Sequence, residues 1–430
     1  MRNHFNGSHL FEKNRQKLTR RLPAHSLLIV NSNDEMPRTA DQYYPYRQHS
    51  DLIYLTGIHQ PKSILCICPG SPDKQLREVL FIEKTNEQYN IWTGQKMDKE
   101  EATAISGIKN VQWLEEFERL LPSMMKYALH VYLGCHEENR TFDEVPLRDA
   151  RFAKWMLEQY PLHKYERLNF LMAEMRQIKE SEEIEFILQA INISSDAFKK
   201  IAKAIKPGIY EYEAEALFGY EFVMSGAEGH AFQPIVASGK NACVLHYSSN
   251  NELIGDGSLV LLDFGAEWGA YNADITRTIP ANGKFSKRQT QVYEAVLRLL
   301  KLAPQLIKAG KSISAIHTEF IEFAEKEMIQ LGLFSENEKA NQDPEKPLYR
   351  KYFMHGISHF LGLDVHDVGQ KTDILMPGMV ITWEPGIYIT EEQLGIRLEN
   401  DILITDNGIV NLSELIPIEI NDIEALMKDR

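Results

Sequence analysis

Residues 355–367 read HGISHFLGLDVHD, and this stretch limits the folds open to the chain more than any other. It sets His355, His359 and His366 among small and apolar residues, with Asp364 and Asp367 beside them. Histidine titrates near neutrality and is the commonest metal ligand. A single histidine in such a setting is ordinarily a hydrogen-bonded core residue. Three in one short segment are harder to bury without a shared task. Distant segments repeat the theme. Asp263 ends LVLLD, Asp274 heads ADITRTI, Glu384 interrupts MVITWEPGIYI, and Glu399 lies in GIRLENDILIT. A carboxylate beside or inside an apolar run is expensive to bury without a partner. The fold is therefore expected to gather these segments at one site.

A chain of 430 residues is longer than one core usually serves, so two domains are expected. The first, 1–170, alternates strands and helices in the manner of an α/β domain. A helix is expected over 14–20. Apolar runs at 26–31, 51–57, 63–68, 79–82 and 129–133 read as strands, with helices over 99–104 and 114–127. No catalytic cluster is visible there. The second domain, 175–430, opens with a long helix from Glu180, stopped by Lys206-Pro207-Gly208. Ser181 with Ile184 three residues on is not a full capping box. Further helices are expected over 211–225, 287–309 and 314–331, and strands over 235–238, 258–264, 379–389 and 395–405. Helices and strands around one acidic, histidine-rich site describe an α+β domain.

Lysine and arginine number 47 against 61 acidic residues, a net charge of −14. That balance argues against nucleic acid and anionic membranes as partners. Cys66, Cys68, Cys135 and Cys243 form no CxxC pair, which excludes the usual thiolate zinc motifs. So few cysteines suit a reducing compartment. No apolar run approaches the roughly 20 residues of a membrane span. The N-terminal segment lacks the apolar centre of a secretory signal, so a cytoplasmic location is expected. Its basic character leaves an organelle matrix open.

A turn through GAEWGAYN would bring Asp263 and Asp274 onto neighbouring strands, facing one side. Two adjacent carboxylates repel, and a bound divalent cation removes the repulsion. The alternative is that one caps a turn while the other pairs with Arg277. In GIRLENDILIT a period of two puts Arg397, Glu399 and Asp401 on one face and Ile396 and Leu398 on the other. That face alone could be solvated. Taken together, four carboxylates and imidazole without sulfur suit Mn²⁺, Zn²⁺, Co²⁺ or Fe²⁺. Four acids exceed what one catalytic metal needs and fit two ions roughly 3.5–4 Å apart.

The order Asp, Asp, His, Glu, Glu, carried by LVLLDFGAEWGAYNADITRT, HGISHFLGLDVHD, WEPGIYI and GIRLEND, resembles the pita-bread metallopeptidases. The resemblance is closer to aminopeptidase P, which cleaves Xaa-Pro bonds at peptide N-termini. SGKNACVLHY and YPYRQHSDLIYLTG also look like that family, so nearly the whole chain is covered. It implies an α/β N-terminal domain and an α+β pita-bread C-terminal catalytic domain built of pseudo-two-fold halves around a curved sheet. By the same resemblance Asp263, Asp274, His359, Glu384 and Glu399 hold two divalent metals, Mn²⁺ first, with Zn²⁺ or Co²⁺ as alternatives. Glu384 is then also the proton acceptor. His246 and His366 are catalytic histidines, while His355, Tyr388 and Arg397 serve substrate binding and the metal surround. Phe232 is a departure, because the family often has tyrosine there.

The implied reaction is attack on the scissile carbonyl by a hydroxide shared between the metals, releasing the residue before proline. Partners are peptides with proline second, and the resemblance implies a homodimer or homotetramer. Trp92 and Asp51 are candidates for reaching a neighbouring subunit's site. A prolidase would share the ligands, but Ser358 stands where prolidases commonly carry glycine. Arg397 shares a strand face with Glu399, and Lys371 is the next cation along. A methionine aminopeptidase is disfavoured by the large first domain. Metal-free pita-bread binding modules and creatinase-like hydrolysis are disfavoured by the filled ligand positions.

Overall fold

The computed structural model describes residues 5, 7–85, 87–135, 137 and 145–428. Part of the N-terminal segment read above for targeting, residues 1–4 and 6, lies outside them. The chain divides into two compact units, one ending at Arg176 and the other beginning at Gln177.

The first unit is built on a six-stranded mixed sheet. Its strands are β1 (Ser26–Asn31), β2 (Ile64–Ile67), β3 (Glu78–Ile82), β4 (Val111–Trp113), β5 (His130–Leu133) and β6 (Lys164–Arg167), in the order β4-β3-β2-β1-β5-β6. Central β1 is buried along its whole length, which is why its sequence is apolar without alternation. Leu27, Ile29, Cys66, Phe81, Phe117 and Met156 belong to one core beside it.

One expected strand is a helix. Residues Ser50–Thr56 are helical and all seven are buried. An apolar run buried on every side carries no period, so it fits either element. Local geometry decides. The Asp51 N–H donates to His49 Nδ1 at the start, and Gly57, at φ 68°, closes the end with its N–H on the Ile53 carbonyl. Arg176 then pairs with Asp51 at 2.8 Å, with both side chains nearly buried.

The second unit opens with the helix Ser181–Ala204. Its capping box lies one residue earlier than the sequence reading sought it, between Glu180 and Glu183. The helix Glu211–Met224 follows. The helix expected over 287–309 is two, Lys287–Leu300 and Ala303–Leu306. Pro304 enters the first turn of the second, where its missing N–H costs nothing, and it could not have continued the first.

The longer strands of this unit are β7 (Ile235–Ser238), β8 (Leu259–Phe264), β9 (Ile275–Pro280), β10 (Val380–Trp383), β11 (Gly386–Ile389), β12 (Leu394–Arg397), β13 (Asn400–Thr405) and β14 (Gly408–Asn411). They pair antiparallel as β7-β8-β9, β10-β13-β14 and β11-β12. The long strands expected over 379–389 and 395–405 are each broken in two, and the breaks make the site. Among the described residues no helix is long and apolar enough to cross a membrane.

Candidate metal centre

Strands β8 and β9 pair with Asp263 opposite Thr276 and Phe264 opposite Ile275. The intervening residues fold into their own small hairpin, Ala266–Trp268 against Tyr271–Asn272. Asp274 thus falls just before β9, across from Gly265. Only glycine fits at 265, since a Cβ there would lie 1.7 Å from the Ala273 carbonyl oxygen. The Phe232 ring adjoins the same spot, 3.3 Å from that imagined Cβ.

The second pair of acids comes from a double break. Trp383 pairs with Asn400 and Gly386 with Arg397, leaving Glu384-Pro385 facing Leu398-Glu399. Pro385 has no N–H for the ladder, and its carbonyl accepts the Leu398 N–H at 3.1 Å. The Glu399 N–H turns away to the Thr276 carbonyl at 3.0 Å. Arg277 holds this region together by donating to the carbonyls of Thr276, Glu399 and Pro417 and to Asn400 Oδ1. Its donors are thereby spoken for, so the pairing of Arg277 with Asp263 or Asp274 is not adopted.

The histidine segment lies along the edge of β10. The Glu384 N–H donates to the Ile357 carbonyl at 3.0 Å, and the Thr382 N–H to the His359 carbonyl at 2.9 Å. His359 is carried in to Asp274 and Glu399, and donor atoms of the three lie within 4.8 Å of one another. His359 Nδ1–H donates to the Phe360 carbonyl at 2.9 Å, which fixes the ring and turns Nε2 towards the acids. Nε2 sits 3.3 Å from Asp274 Oδ2. An imidazole nitrogen and a carboxylate oxygen so placed share a proton or a cation.

Asp263 Oδ2 accepts from Arg397 Nη2 at 2.5 Å, while its buried Oδ1 has no hydrogen-bond partner among the described residues. Glu399 Oε2 accepts from Thr276 Oγ1 at 2.7 Å. Arg397 also donates through Nε to Thr276 Oγ1 and through Nη1 to the Tyr388 hydroxyl. The Tyr388 hydroxyl lies 2.8 Å from His355 Nε2, and His355 Nδ1 lies 2.8 Å from the Gly356 carbonyl and 3.3 Å from Glu384 Oε2. One connected network therefore runs from Glu384 through His355, Tyr388 and Arg397 to Asp263. Arg397 and Tyr388 are buried with their polar atoms occupied, so they hold the site rather than face open space.

Electrostatics follow from burial. Burial and the neighbouring acids push Asp274 and Glu399 well above the usual carboxylate range. Asp263 is raised by burial against the pull of Arg397. Burial also acts on Glu384, but His355, His359 and Arg397 outweigh it and hold it at about 2. Asp401, fully buried, is pushed up to about 8 by burial while its Oδ2 accepts the Asp274 N–H at 3.1 Å. A cluster of buried acids with one arginine, a carboxylate oxygen without a hydrogen-bond partner among the described residues and a facing imidazole nitrogen fits a divalent metal.

His366 is exposed, with its ring 4.4 Å from that of His359. His246 is exposed on the loop after 239–243 and makes no hydrogen bond or ion pair among the described residues. Asp367 is committed elsewhere, to Lys179 at 3.0 Å with both side chains buried. Lys371 and Arg350 line a cavity of about 530 Å³ with His355, His317 and Phe353. In the first unit, Asp51 is held by Arg176 and Trp92 is exposed. Sequence reading missed Thr276. Its signal was alternation, since Asp274, Thr276 and Thr278 fall on one face of ADITRTI while Ile275, Arg277 and Ile279 take the other.

The metallopeptidase family M24 matches residues 185–406, and the aminopeptidase P N-terminal domain matches residues 11–132. The chain is 35% identical to the Xaa-Pro aminopeptidase of Haemophilus influenzae, over 97% of this chain and 96% of that one. A structure from Bacillus anthracis, provisionally assigned as an aminopeptidase P, superposes with TM-score 0.90 at 39% identity over 99% of both chains. Escherichia coli aminopeptidase P, solved zinc-substituted with product and also with the inhibitor Pro-Leu, superposes with TM-score 0.87 at 32% identity over 98% of both. With that likeness extending over both units, the chain belongs to metallopeptidase family M24, pairing an aminopeptidase P N-terminal domain with a pita-bread catalytic domain.

Proposed function

We propose that this chain is a dinuclear metallo-exopeptidase that removes the N-terminal residue from peptides with proline in second position. The observation that carries the reading is the gathering of Asp274, His359 and Glu399, whose donor atoms lie within 4.8 Å of one another, with Glu384 and Glu399 at the paired strand breaks and His359 Nε2 3.3 Å from Asp274 Oδ2. Asp263, Asp274, His359, Glu384 and Glu399 would hold two divalent ions, Mn²⁺ first and Zn²⁺ or Co²⁺ as alternatives. When bound, such ions supply Lewis acidity that makes water a nucleophile near neutrality and polarises a carbonyl.

The chain's own residues do the rest. Glu384, kept ionised by its cationic surroundings, accepts a proton and delivers it towards the departing proline nitrogen. Its oxygen is oriented by His355 Nδ1 at 3.3 Å. Tyr388, whose hydroxyl is pushed up to about 12 by burial, stays protonated and fixes the other nitrogen of that ring. Arg397 holds Asp263 and, through Thr276, Glu399. His246 and His366 are exposed and reach the substrate, His246 at the developing oxyanion and His366 beside the prolyl ring. A prolyl nitrogen in an amide has no N–H, so recognition is by ring shape. The four free cysteines, Cys66 and Cys68 among them buried, support a reducing, cytoplasmic setting.

A second reading, prolidase, draws on Lys371 and Arg350, which bring two cations beside His355 where a proline carboxylate could be captured. The same cavity offers room for a chain continuing past proline, which favours the aminopeptidase. Comparing kcat/KM for matched Xaa-Pro-Yaa tripeptides, Xaa-Pro dipeptides and peptides without proline second, all with Mn²⁺, decides between them. Tripeptides are expected to be cleaved best. A clear dipeptide preference would make Lys371 the carboxylate anchor, and absence of hydrolysis with metal bound would remove the enzyme reading.

A further inference from the structure

Glu211 is fully buried in the first turn of the helix Glu211–Met224. A buried carboxylate is costly unless donors satisfy it. Its Oε1 accepts from the Ser238 N–H and the Ser238 hydroxyl, both at 2.7 Å, and from Asn241 Nδ2 at 3.2 Å. Its Oε2 accepts from the Tyr247 hydroxyl at 2.8 Å and from the Glu252 N–H at 3.0 Å. The Glu211 N–H donates in turn to the Glu252 carbonyl at 3.0 Å. These partners stand at both ends and in the middle of one loop, 239–252, which leaves β7 at Ser238. Bonds to a carboxylate are stronger than bonds to a neutral acceptor, so one side chain ties the whole loop to the helix. Burial and the Glu211 carboxylate push the Tyr247 hydroxyl up to about 12, so it stays a donor in that pair.

The loop carries His246. No helix or strand forms between Cys243 and Leu259, so side chains set its course. Burial alternates along 243–247, as in an extended chain. Cys243, Leu245 and Tyr247 turn in onto the core around Leu261 and Tyr388, while Val244 and His246 are exposed. His246 thus points outward because both its neighbours point inward. The start of the loop rests directly on β12, since a Cβ on Gly395 would lie 2.3 Å from the Ala242 carbonyl oxygen. Tyr388, whose ring lies beneath the loop, is the residue whose hydroxyl meets His355 and Arg397. One side of the loop is therefore seated on the metal centre's own support, and Glu211 fastens the other.

We infer that Glu211 is the positioning residue for His246, its carboxylate fixing the 239–252 loop so that the imidazole stands where the oxyanion develops. The inference rests on the role given to His246 above. Glu211 acts through the loop alone, so loosening it weakens stabilisation of the transition state and leaves substrate binding as it was. In Glu211→Gln the amide nitrogen must face donors. The hydroxyls of Ser238 and Tyr247 can rotate to accept from it, but the N–H groups of Ser238 and Glu252 cannot. One end of the loop is released whichever way the amide turns.

Steady-state kinetics on an Xaa-Pro-Yaa tripeptide with Mn²⁺ tests this in Glu211→Gln, His246→Ala and the double variant, with Glu213→Gln as control. Glu213 is exposed in the same helical turn and accepts the Tyr210 N–H, away from the loop. Glu211→Gln is expected to lower kcat about 100-fold with KM and metal content unchanged. The control is expected to keep wild-type rates. The double variant is expected to be no slower than His246→Ala, because a residue acting only through the imidazole has no effect once it is gone. Should Glu211→Gln fail to fold, Tyr247→Phe, which removes the contact beside His246, is read in the same way. Wild-type kcat in the folded loop variant, a rise in KM alone, or a double variant slower than His246→Ala would overturn the inference and leave the role of His246 standing. Wild-type kcat in His246→Ala with metal bound would instead remove that role, and the inference with it.

Discussion

Replacing Gly265 by alanine tests the link between strand spacing and chemistry. The added Cβ would stand 1.7 Å from the Ala273 carbonyl oxygen, which is backbone and cannot swing aside. Reaching ordinary contact requires the two segments to separate by more than about 1 Å. Asp263 lies two residues before Gly265, and Asp274 directly follows Ala273, so the displacement falls on the spacing between two proposed ligands. Overpacking of this kind costs about 1–3 kcal/mol of stability. Misplacing reacting groups by about 1 Å costs catalysis on the order of 100-fold. We expect a folded variant with a lower Tm, reduced metal per chain and kcat/KM for an Xaa-Pro-Yaa peptide down about 100-fold at saturating Mn²⁺. Metal content per chain, thermal melts and initial rates read the three effects separately. A variant that melts lower yet keeps full metal and wild-type kcat/KM would refute the argument.

Asp274→Asn and Glu399→Gln are expected to lose metal and activity together, since each is read as serving both ions; full metal with normal turnover in either would remove it from the ligand set. Glu384→Gln should lower kcat by about 1000-fold or more with unchanged circular dichroism, because a proton acceptor is lost along with a charged ligand. Near-normal kcat with metal bound would take Glu384 out of the reaction. Metal binding should be linked to pH. Carboxyls raised in the folded state, here Asp274 and Glu399, stabilise it fully below their unfolded pKa near about 4, and that stability is lost as pH rises through the folded values. The gain in Tm on adding Mn²⁺ should therefore grow with pH through that window, as protons cease to compete. A gain that stays flat or falls with pH would contradict the shifts.

Much of the centre was legible because its cost is written in one dimension. Asp263 after LVLL and Glu384 after VITW are expensive to bury alone, whatever the fold. Strand β7 and the stop after residue 204 were legible for a related reason, since period, apolar run and Pro-Gly are local signals. Where local signals were symmetric, sequence alone failed. The buried run after His49 fits helix or strand equally, and only the cap at His49 and the turn at Gly57 settle it.

The chain's residue order determined which side chains carry charge into apolar surroundings, and so that a site must exist. Tertiary structure decided how they meet. The breaks at Glu384-Pro385 and Leu398-Glu399 arise from pairing between segments, and the commitment of Arg397 to Asp263, Thr276 and Tyr388 depends on three other strands. The burial of Asp401 beneath Asp274 is likewise invisible to a period of two, which groups it with a face that could have been solvated. Alternation reports which side of a strand a residue takes. What lies over that side is set by chain that arrives from more than a hundred residues away, as Asp263 meets Arg397.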